Sequence, residues 1–263
     1  MKRDSTKVSG RVELALNWIP ENCNNLLDCG CSDGKYSNLF LSKSKKVYAI
    51  DPNNNFIEKA NLKYAKDNKE KTLIFKKAFL ENLPFENNSF DVITALEVIE
   101  HVKDEKKAIE EMHRVLNTNG TLILTTPNKG LFSFLDPDNY VYFLNKYFPQ
   151  LYKLAHFIKK RKWPDKISRN PGYEEKHRHY SIKNLKESLS NKFEITDIFR
   201  SGLFFSPLSA NAKLFFTTLF GDKLYSKYLD RFFLFFAEKE YRISFGRFSY
   251  YIAIKAIKRR END

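Results

Sequence analysis

The chain has 263 residues, of which 42% are hydrophobic and 15% aromatic, and a formal net charge of +13. Its length supports a sizeable core and excludes a small scaffold that needs disulfides, and Cys23, Cys29 and Cys31 lack a partner pair at metal-ligand spacing, so they read as small buried residues in a reducing compartment. No apolar run reaches the roughly 20 residues of a spanning helix, and Met1-Lys2-Arg3-Asp4-Ser5 lacks the apolar core of a secretion signal, so the chain is expected to be cytoplasmic.

Arg11 to Ile19 reads as a helix with Trp18 and Ile19 apolar. Next comes Asn25-Leu26-Leu27-Asp28-Cys29-Gly30-Cys31-Ser32-Asp33-Gly34, an apolar run suited to a buried strand, then a small-residue turn before a helix near Tyr36. Gly30 and Gly34 permit a tight turn and remove side chains that would keep a ligand from the main chain. The second strand, Lys46 to Ile50, ends in Asp51. A carboxylate at that point either accepts the two hydroxyls of a ribose or caps a helix over Asn55 to Ala65.

Leu73 to Lys77 and Ser89 to Thr94 read as the third and fourth strands, with Leu83-Pro84-Phe85 in a loop between them. Beyond Glu97-Val98-Ile99-Glu100-His101-Val102 come a helix from about Asp104 to Leu116 and a fifth strand within Asn119 to Asn128. His177-Arg178-His179-Tyr180-Ser181 precedes a helix to about Leu189, with Ser181 as its cap. Phe193 to Ile198 and Tyr250 to Ala256 complete the strands, and Arg259 to Asp263 reads as disordered. Strand and helix alternate, which predicts an α/β, Rossmann-like doubly wound sheet.

Four features, in this order and at these separations, resemble the class I S-adenosylmethionine-dependent methyltransferases of the methyltransferase type 11 and ubiquinone-biosynthesis-like O-methyltransferase group. They are Leu27 to Gly34, the acidic strand end Asp51, the Leu83-Pro84-Phe85 and Glu97 to Val102 blocks, and Asn119 to Asn128. The resemblance covers Leu26 to Asn128 closely, and Lys176 to Arg200 and Ser249 to Lys258 more loosely. It implies a seven-stranded sheet whose last strand lies antiparallel beside the sixth, with S-adenosyl-L-methionine as cofactor. Asp28, Gly30 and the backbone of Cys31 would meet its amino-acid end, with Ser32 in the turn and Gly34 opening the helix. Asp51, with Pro52 beside it, would hold the ribose. Leu80 would offer main chain to the adenine edge, and Ala95 and Leu96 would lie under the methionine portion.

Two positions depart from the family pattern. Ser32 stands where a second glycine is usual, and Phe79 where an acidic residue commonly accepts from the adenine amino group. The latter loses a hydrogen bond worth about 1 kcal/mol.

Methyl transfer from a sulfonium needs mainly alignment and exclusion of water. An oxygen nucleophile must also lose a proton, and His101 is the candidate base; its other reading is a cap for the next helix. In ubiquinone-type relatives the Glu97, Glu100, His101 spacing is associated with a divalent cation, but many methyltransferases share Glu-His-Val without one, and no metal is assigned. His177, Arg178, His179 and Tyr180 either line the acceptor pocket or serve as caps and surface hydrogen bonders. Tyr180 is the catalytic candidate among them.

Charge divides the chain. Residues 1–130, the cofactor half, carry 20 Lys and Arg against 18 Asp and Glu, whereas residues 131–263, read as the remainder of the same domain, carry 25 against 14. Two helical insertions produce this bias, one after strand 5 (about 131–175) and one between strands 6 and 7 (about 204–246). In the first, Tyr140, Leu144, Tyr147, Leu151, Leu154 and Ile158 share one helical face, Pro149 restarts the helix, and Lys159-Lys160-Arg161-Lys162-Trp163 ends it. In the second, Leu214-Phe215-Phe216, Leu219-Phe220, Tyr225, Tyr228-Leu229 and Phe232 to Phe236 suggest two helices. These faces either pack over the sheet or dip into an anionic membrane interface that delivers a small-molecule or lipid-linked acceptor.

The rival to methylation of such an acceptor is a nucleic-acid methyltransferase, favoured by the net charge. It is opposed by the lack of an Asn/Asp-Pro-Pro-aromatic sequence after strand 4 and of any cysteine beyond residue 31. A non-catalytic module that keeps the fold is the other alternative, hinted at by Ser32 and Phe79.

Overall fold

The computed structural model describes residues 10–65, 72–160, 177–205, 207–209, 211–212 and 227–260. Among them, seven strands form one sheet: β1 (Cys23–Cys29), β2 (Ser44–Asp51), β3 (Leu73–Lys77), β4 (Phe90–Leu96), β5 (Leu116–Pro127), β6 (Phe193–Ser201) and β7 (Tyr251–Lys258). Their order is β3-β2-β1-β4-β5-β7-β6. The helices are α1 (Arg11–Trp18), α2 (Lys35–Phe40), α3 (Asn54–Tyr64), α4 (Glu105–Val115), α5 (Pro137–Tyr147), α6 (Pro149–Lys160), α7 (Ile182–Leu189) and α8 (Lys227–Tyr241).

β1 is an interior strand with both faces covered: Leu26, Leu27 and Cys29 are buried, and it pairs in parallel with β2 on one side and β4 on the other. The strand order reverses between β1 and β4, which opens a crevice at their carboxyl ends. Register brings those ends level, with Cys29 opposite both Ile50 and Ala95, and Leu96 opposite Thr125. β7 is antiparallel to β6, as expected: Arg259 N–H donates to the Lys192 carbonyl at one end and Tyr250 N–H to the Gly202 carbonyl at the other.

Elsewhere the caps explain the boundaries. α4 begins where the Asp104 side chain accepts from Lys107 N–H, so Asp104 and not His101 caps this helix. α3 is capped by Asn53, whose side chain accepts from Asn55 N–H, which removes the capping reading of Asp51. α1 buries Val12 and Ala15 in a cluster with Leu26, Phe40, Val47 and Val92. The break at Phe148, with Pro149 opening α6, follows the sequence expectation.

The described residues fall into two compact units, one within 1–126, 182–199 and 253–263, the other within 127–181 and 200–252. The second unit contains α5, α6 and α8. Of the six residues assigned to one face of the first insertion, the side chains of Tyr140, Tyr147, Leu151 and Leu154 are described, and all four are exposed. The side chains of Leu144, Ile158, Lys159, Lys160, Tyr228 and Leu229, and the segments Arg161 to Trp163 and Leu214 to Tyr225, lie outside the described residues.

Candidate functional site

Gly30 and Gly34 both adopt left-handed backbone, at φ 73° and 78°. A Cβ on Gly30 would stand 2.4 Å from Val98 Cγ2, and one on Gly34 2.5 Å from the Phe75 ring, so neither position accepts a side chain. Ser32 lies in the left-handed region too, at φ 49°, a conformation that favours glycine.

The turn is fastened to the end of β2. Gly30 N–H and Cys31 N–H donate to the Ile50 carbonyl at 2.8 and 2.9 Å, and Gly34 N–H donates to the Cys31 carbonyl at 2.9 Å. The expected cofactor contact from Cys31 is therefore not available on its N–H, which the sheet already engages. Ser32 N–H donates to Asp51 Oδ2 at 2.9 Å, and Asn53 N–H to Asp51 Oδ1 at 2.8 Å. Each Asp51 oxygen keeps acceptor capacity beyond its single backbone donor.

Asp28 is buried beneath the turn, 4% exposed, where the Ser37 hydroxyl donates to Oδ2 at 2.6 Å and the Thr94 hydroxyl to Oδ1 at 2.9 Å. Burial pushes its carboxyl up to about 6 although both hydroxyls favour the ionised form. Burial also raises Asp51, against the pull of the Asn53 and Ser32 amides. The Cys23 thiol is pushed up to about 12 by burial, and Cys29 and Cys31 are raised as well, so all three are inert thiols.

Around this turn, Pro52 is exposed, Leu80 buried, and the neighbouring Phe79 ring 57% exposed. Ala95 is fully buried in β4, and Leu96 packs on the core cluster. Arg114 holds the intervening loop by donating to the carbonyls of Leu83 and Phe85 and pairing with Glu111, whose carboxylate accepts from Leu83 N–H.

The Glu97 to His101 block is latched to β5. Glu97 sits at φ 59° with its N–H on the Thr125 carbonyl and its carboxylate accepting from the Thr125 hydroxyl at 2.9 Å. Glu100, 3% exposed, accepts from the Thr126 hydroxyl at 3.1 Å, while His101 is exposed. Glu97 does not join Glu100 and His101 in a common ligand cluster among the described residues. The two sequence blocks therefore hold each other, a pairing not visible in either alone.

In the second unit Tyr180 is 5% exposed, and its backbone bridges Asn128 in parallel, with N–H on the Pro127 carbonyl and its own carbonyl accepting from Lys129. His177 Nδ1 and His179 Nε2 each lie 2.6 Å from Asp136 Oδ2. Burial works to raise the Asp136 carboxyl, but these two imidazole bonds hold it well below the usual carboxylate range. Asp136 was not read from the sequence as a site residue. Its only local signal is Asp-Pro at a helix start.

The donor set discriminates between nucleotide-like ligands. A phosphate cradle needs free N–H groups at the turn, yet Gly30, Cys31 and Ser32 have theirs engaged within the protein, above two acidic side chains. The arrangement repels a pyrophosphate and suits a nucleoside cofactor that carries positive charge and no phosphate, a description that S-adenosyl-L-methionine meets.

A family model described as "Methyltransferase domain" matches residues 27–124. A ubiquinone biosynthesis O-methyltransferase of Pelagibacter ubique is 37% identical over 110 residues, covering 42% of this chain and 45% of that protein. The Pseudomonas fluorescens protein of the same name is 30% identical over 128 residues, 46% of this chain and 54% of its own length. The chain thus spans only about half the length of these relatives. Among solved structures, geranyl diphosphate C-methyltransferase from Streptomyces coelicolor superposes with a TM-score of 0.60 at 13% identity, covering 95% of this chain and 77% of that one, and shares the fold. Residues 27–124 are therefore similar, by family model and by these relatives, to the domain of the S-adenosylmethionine-dependent methyltransferases.

Proposed function

We propose that the protein is an S-adenosylmethionine-dependent methyltransferase acting on oxygen of a small or lipid-linked acceptor. The observation that carries this reading is the turn at Gly30 to Gly34, where the Gly30, Cys31, Ser32 and Gly34 amides are engaged internally and Asp51, which accepts from Ser32 N–H, keeps acceptor capacity. In this reading Asp51, beside Pro52, takes the ribose hydroxyls. Asp28, Gly30, Cys31, Ser32 and Gly34 shape the surface under the amino-acid end. Leu80, Ala95 and Leu96 line the adenine and methionine portions, and the exposed Phe79 ring offers a stacking face where relatives have an acid.

When bound, the cofactor supplies an activated methyl group on a sulfonium. The chain's own residues bind, orient and exclude water. His101 removes the acceptor proton as general base, the role that imidazole side chains most often fill. Tyr180 contributes its hydroxyl on the acceptor side.

Both curated relatives described above are named as O-methyltransferases of ubiquinone biosynthesis, which supports oxygen as the nucleophile and an apolar acceptor. The exposed aromatic residues of α5 and the exposed leucines of α6 support delivery from a membrane surface; no helix among the described residues is long and apolar enough to cross a membrane.

Calorimetry with S-adenosylhomocysteine tests the reading. Wild-type protein is expected to bind one equivalent, and Asp51→Ala to bind at least about tenfold more weakly, the effect of losing one charge-assisted pair of hydrogen bonds. Absence of heat with the folded wild-type protein would refute it.

A further inference from the structure

We propose that Asp136, His177 and His179 form a binding site for a divalent first-row transition metal. The argument starts from the backbone. His177 and His179 are two residues apart just before the Tyr180 bridge, and both side chains reach Asp136. That segment is fixed by Tyr180, which exchanges hydrogen bonds with Pro127 and Lys129 on either side of Asn128. Asp136 comes from the loop before α5, and its orientation is set independently: Oδ1 accepts from Asp138 N–H at 3.0 Å, the cap of that helix. Its other oxygen, Oδ2, is left to face the two rings.

Both imidazoles converge on that single oxygen, His177 through Nδ1 and His179 through Nε2, each at 2.6 Å. The three side chains are 9%, 12% and 2% exposed, and one ligand atom from each lies within 4.8 Å of the others. The ring centroids stand 5.9 Å apart at 74°, so the rings approach from different directions and do not stack.

A structural hydrogen-bond cluster is the competing account. It requires both rings to present N–H to one oxygen that also faces Asn139 Nδ2 at 3.5 Å. A cation at the convergence point removes that crowding, because neutral imidazoles then present lone pairs and the carboxylate a negative oxygen. Metal–ligand bonds of about 2.0–2.2 Å place tetrahedral ligands roughly 3.3 Å apart. Side-chain rotations that open the present contacts by less than about 1 Å are sufficient. Two nitrogens and one carboxylate oxygen select a borderline ion such as Zn²⁺, Co²⁺ or Fe²⁺ over Ca²⁺ or Mg²⁺, which prefer all-oxygen sets. Three protein ligands leave a position for water or an anionic oxygen. The site does not depend on the cofactor reading.

The experiment uses the full chain, stripped with a chelator and titrated with Zn²⁺ by calorimetry and with Co²⁺ by visible absorption. One equivalent is expected to bind, with thermal stabilisation, and His177→Gln and His179→Gln are expected to weaken binding at least about tenfold while matching the melting temperature of the metal-free wild type. X-ray absorption on the zinc-loaded wild type, which needs no variant, is expected to give a nitrogen and oxygen shell with scattering from two imidazoles. No one-to-one binding of either ion overturns the proposal. So does a shell containing sulfur or lacking imidazole, or unchanged affinity in folded His179→Gln.

Discussion

Asp28 illustrates how a single buried carboxyl links stability to function. Its folded pKa of about 6 lies above its ordinary value of 3.8, so the native state holds the proton more tightly than the unfolded chain does. The favourable contribution is complete below about pH 4, falls as pH rises towards 6 and is gone above it, leaving a penalty on the order of 2–3 kcal/mol at neutral pH. Asp28→Asn is therefore expected to melt higher than wild type at pH 8 and no higher at pH 4. A stability difference independent of pH would count against this account. Ser32 is the second residue under strain: its φ of 49° costs a non-glycine residue about 1 kcal/mol. Ser32→Gly keeps the N–H that reaches Asp51 and is expected to raise the unfolding free energy in urea by no more than about 0.5 kcal/mol, because the added chain entropy offsets most of the relieved strain.

Between elements, the decisive contacts join distant motifs. Arg114 at the end of α4 grips Leu83 and Phe85 through their carbonyls, and its partner Glu111 takes Leu83 N–H, so the Leu-Pro-Phe loop is held from the helix behind it. Arg114→Ala is expected to cost about 2 kcal/mol in urea unfolding and to speed amide exchange in residues 79–87. Exchange that stays slow there would show that the loop holds itself. These contacts mark the limit of what the sequence disclosed. Strands with apolar runs, the glycine turn and the Pro149 restart were legible because each is written in adjacent residues. The Thr125 and Thr126 latch on Glu97 and Glu100, and the meeting of Asp136 with His177 and His179, were not. They join residues 26 to 43 positions apart, and only sheet register and loop topology select those partners from many equivalent hydroxyls and carboxylates. The Asn53 cap of α3 is hidden for the opposite reason: Asp51 and Asn53 are both capable and nearly adjacent, and the engagement of Asp51 by Ser32 N–H leaves the cap to Asn53.

For the molecule as a whole, the uneven charge is the main guide to its surroundings. The carboxyl-terminal half carries 25 Lys and Arg against 14 Asp and Glu; its α5 and α6 expose Tyr140, Phe143, Tyr147, Leu151 and Leu154, and Phe148 between them is exposed as well. Lys146 Nζ lies 5.3 and 5.4 Å from the Tyr142 and Tyr147 ring centroids, so charge and aromatic surface adjoin. The protein is expected to float with anionic vesicles at low ionic strength and to be released near 0.5 M salt, about where screening falls within a few ångströms. Failure to float would remove the membrane from the functional reading without touching the nucleoside site.

The placement of β7 between β5 and β6 carries a consequence for biosynthesis. A ribosome that has delivered everything up to Tyr250 has made six strands but cannot join the sixth to the rest, because the strand that must lie between them is still missing. Until Ile252, Ile254 and Ala256 emerge and are buried, β5 keeps an apolar open edge. In that interval the nascent chain is exposed to aggregation and in need of a chaperone.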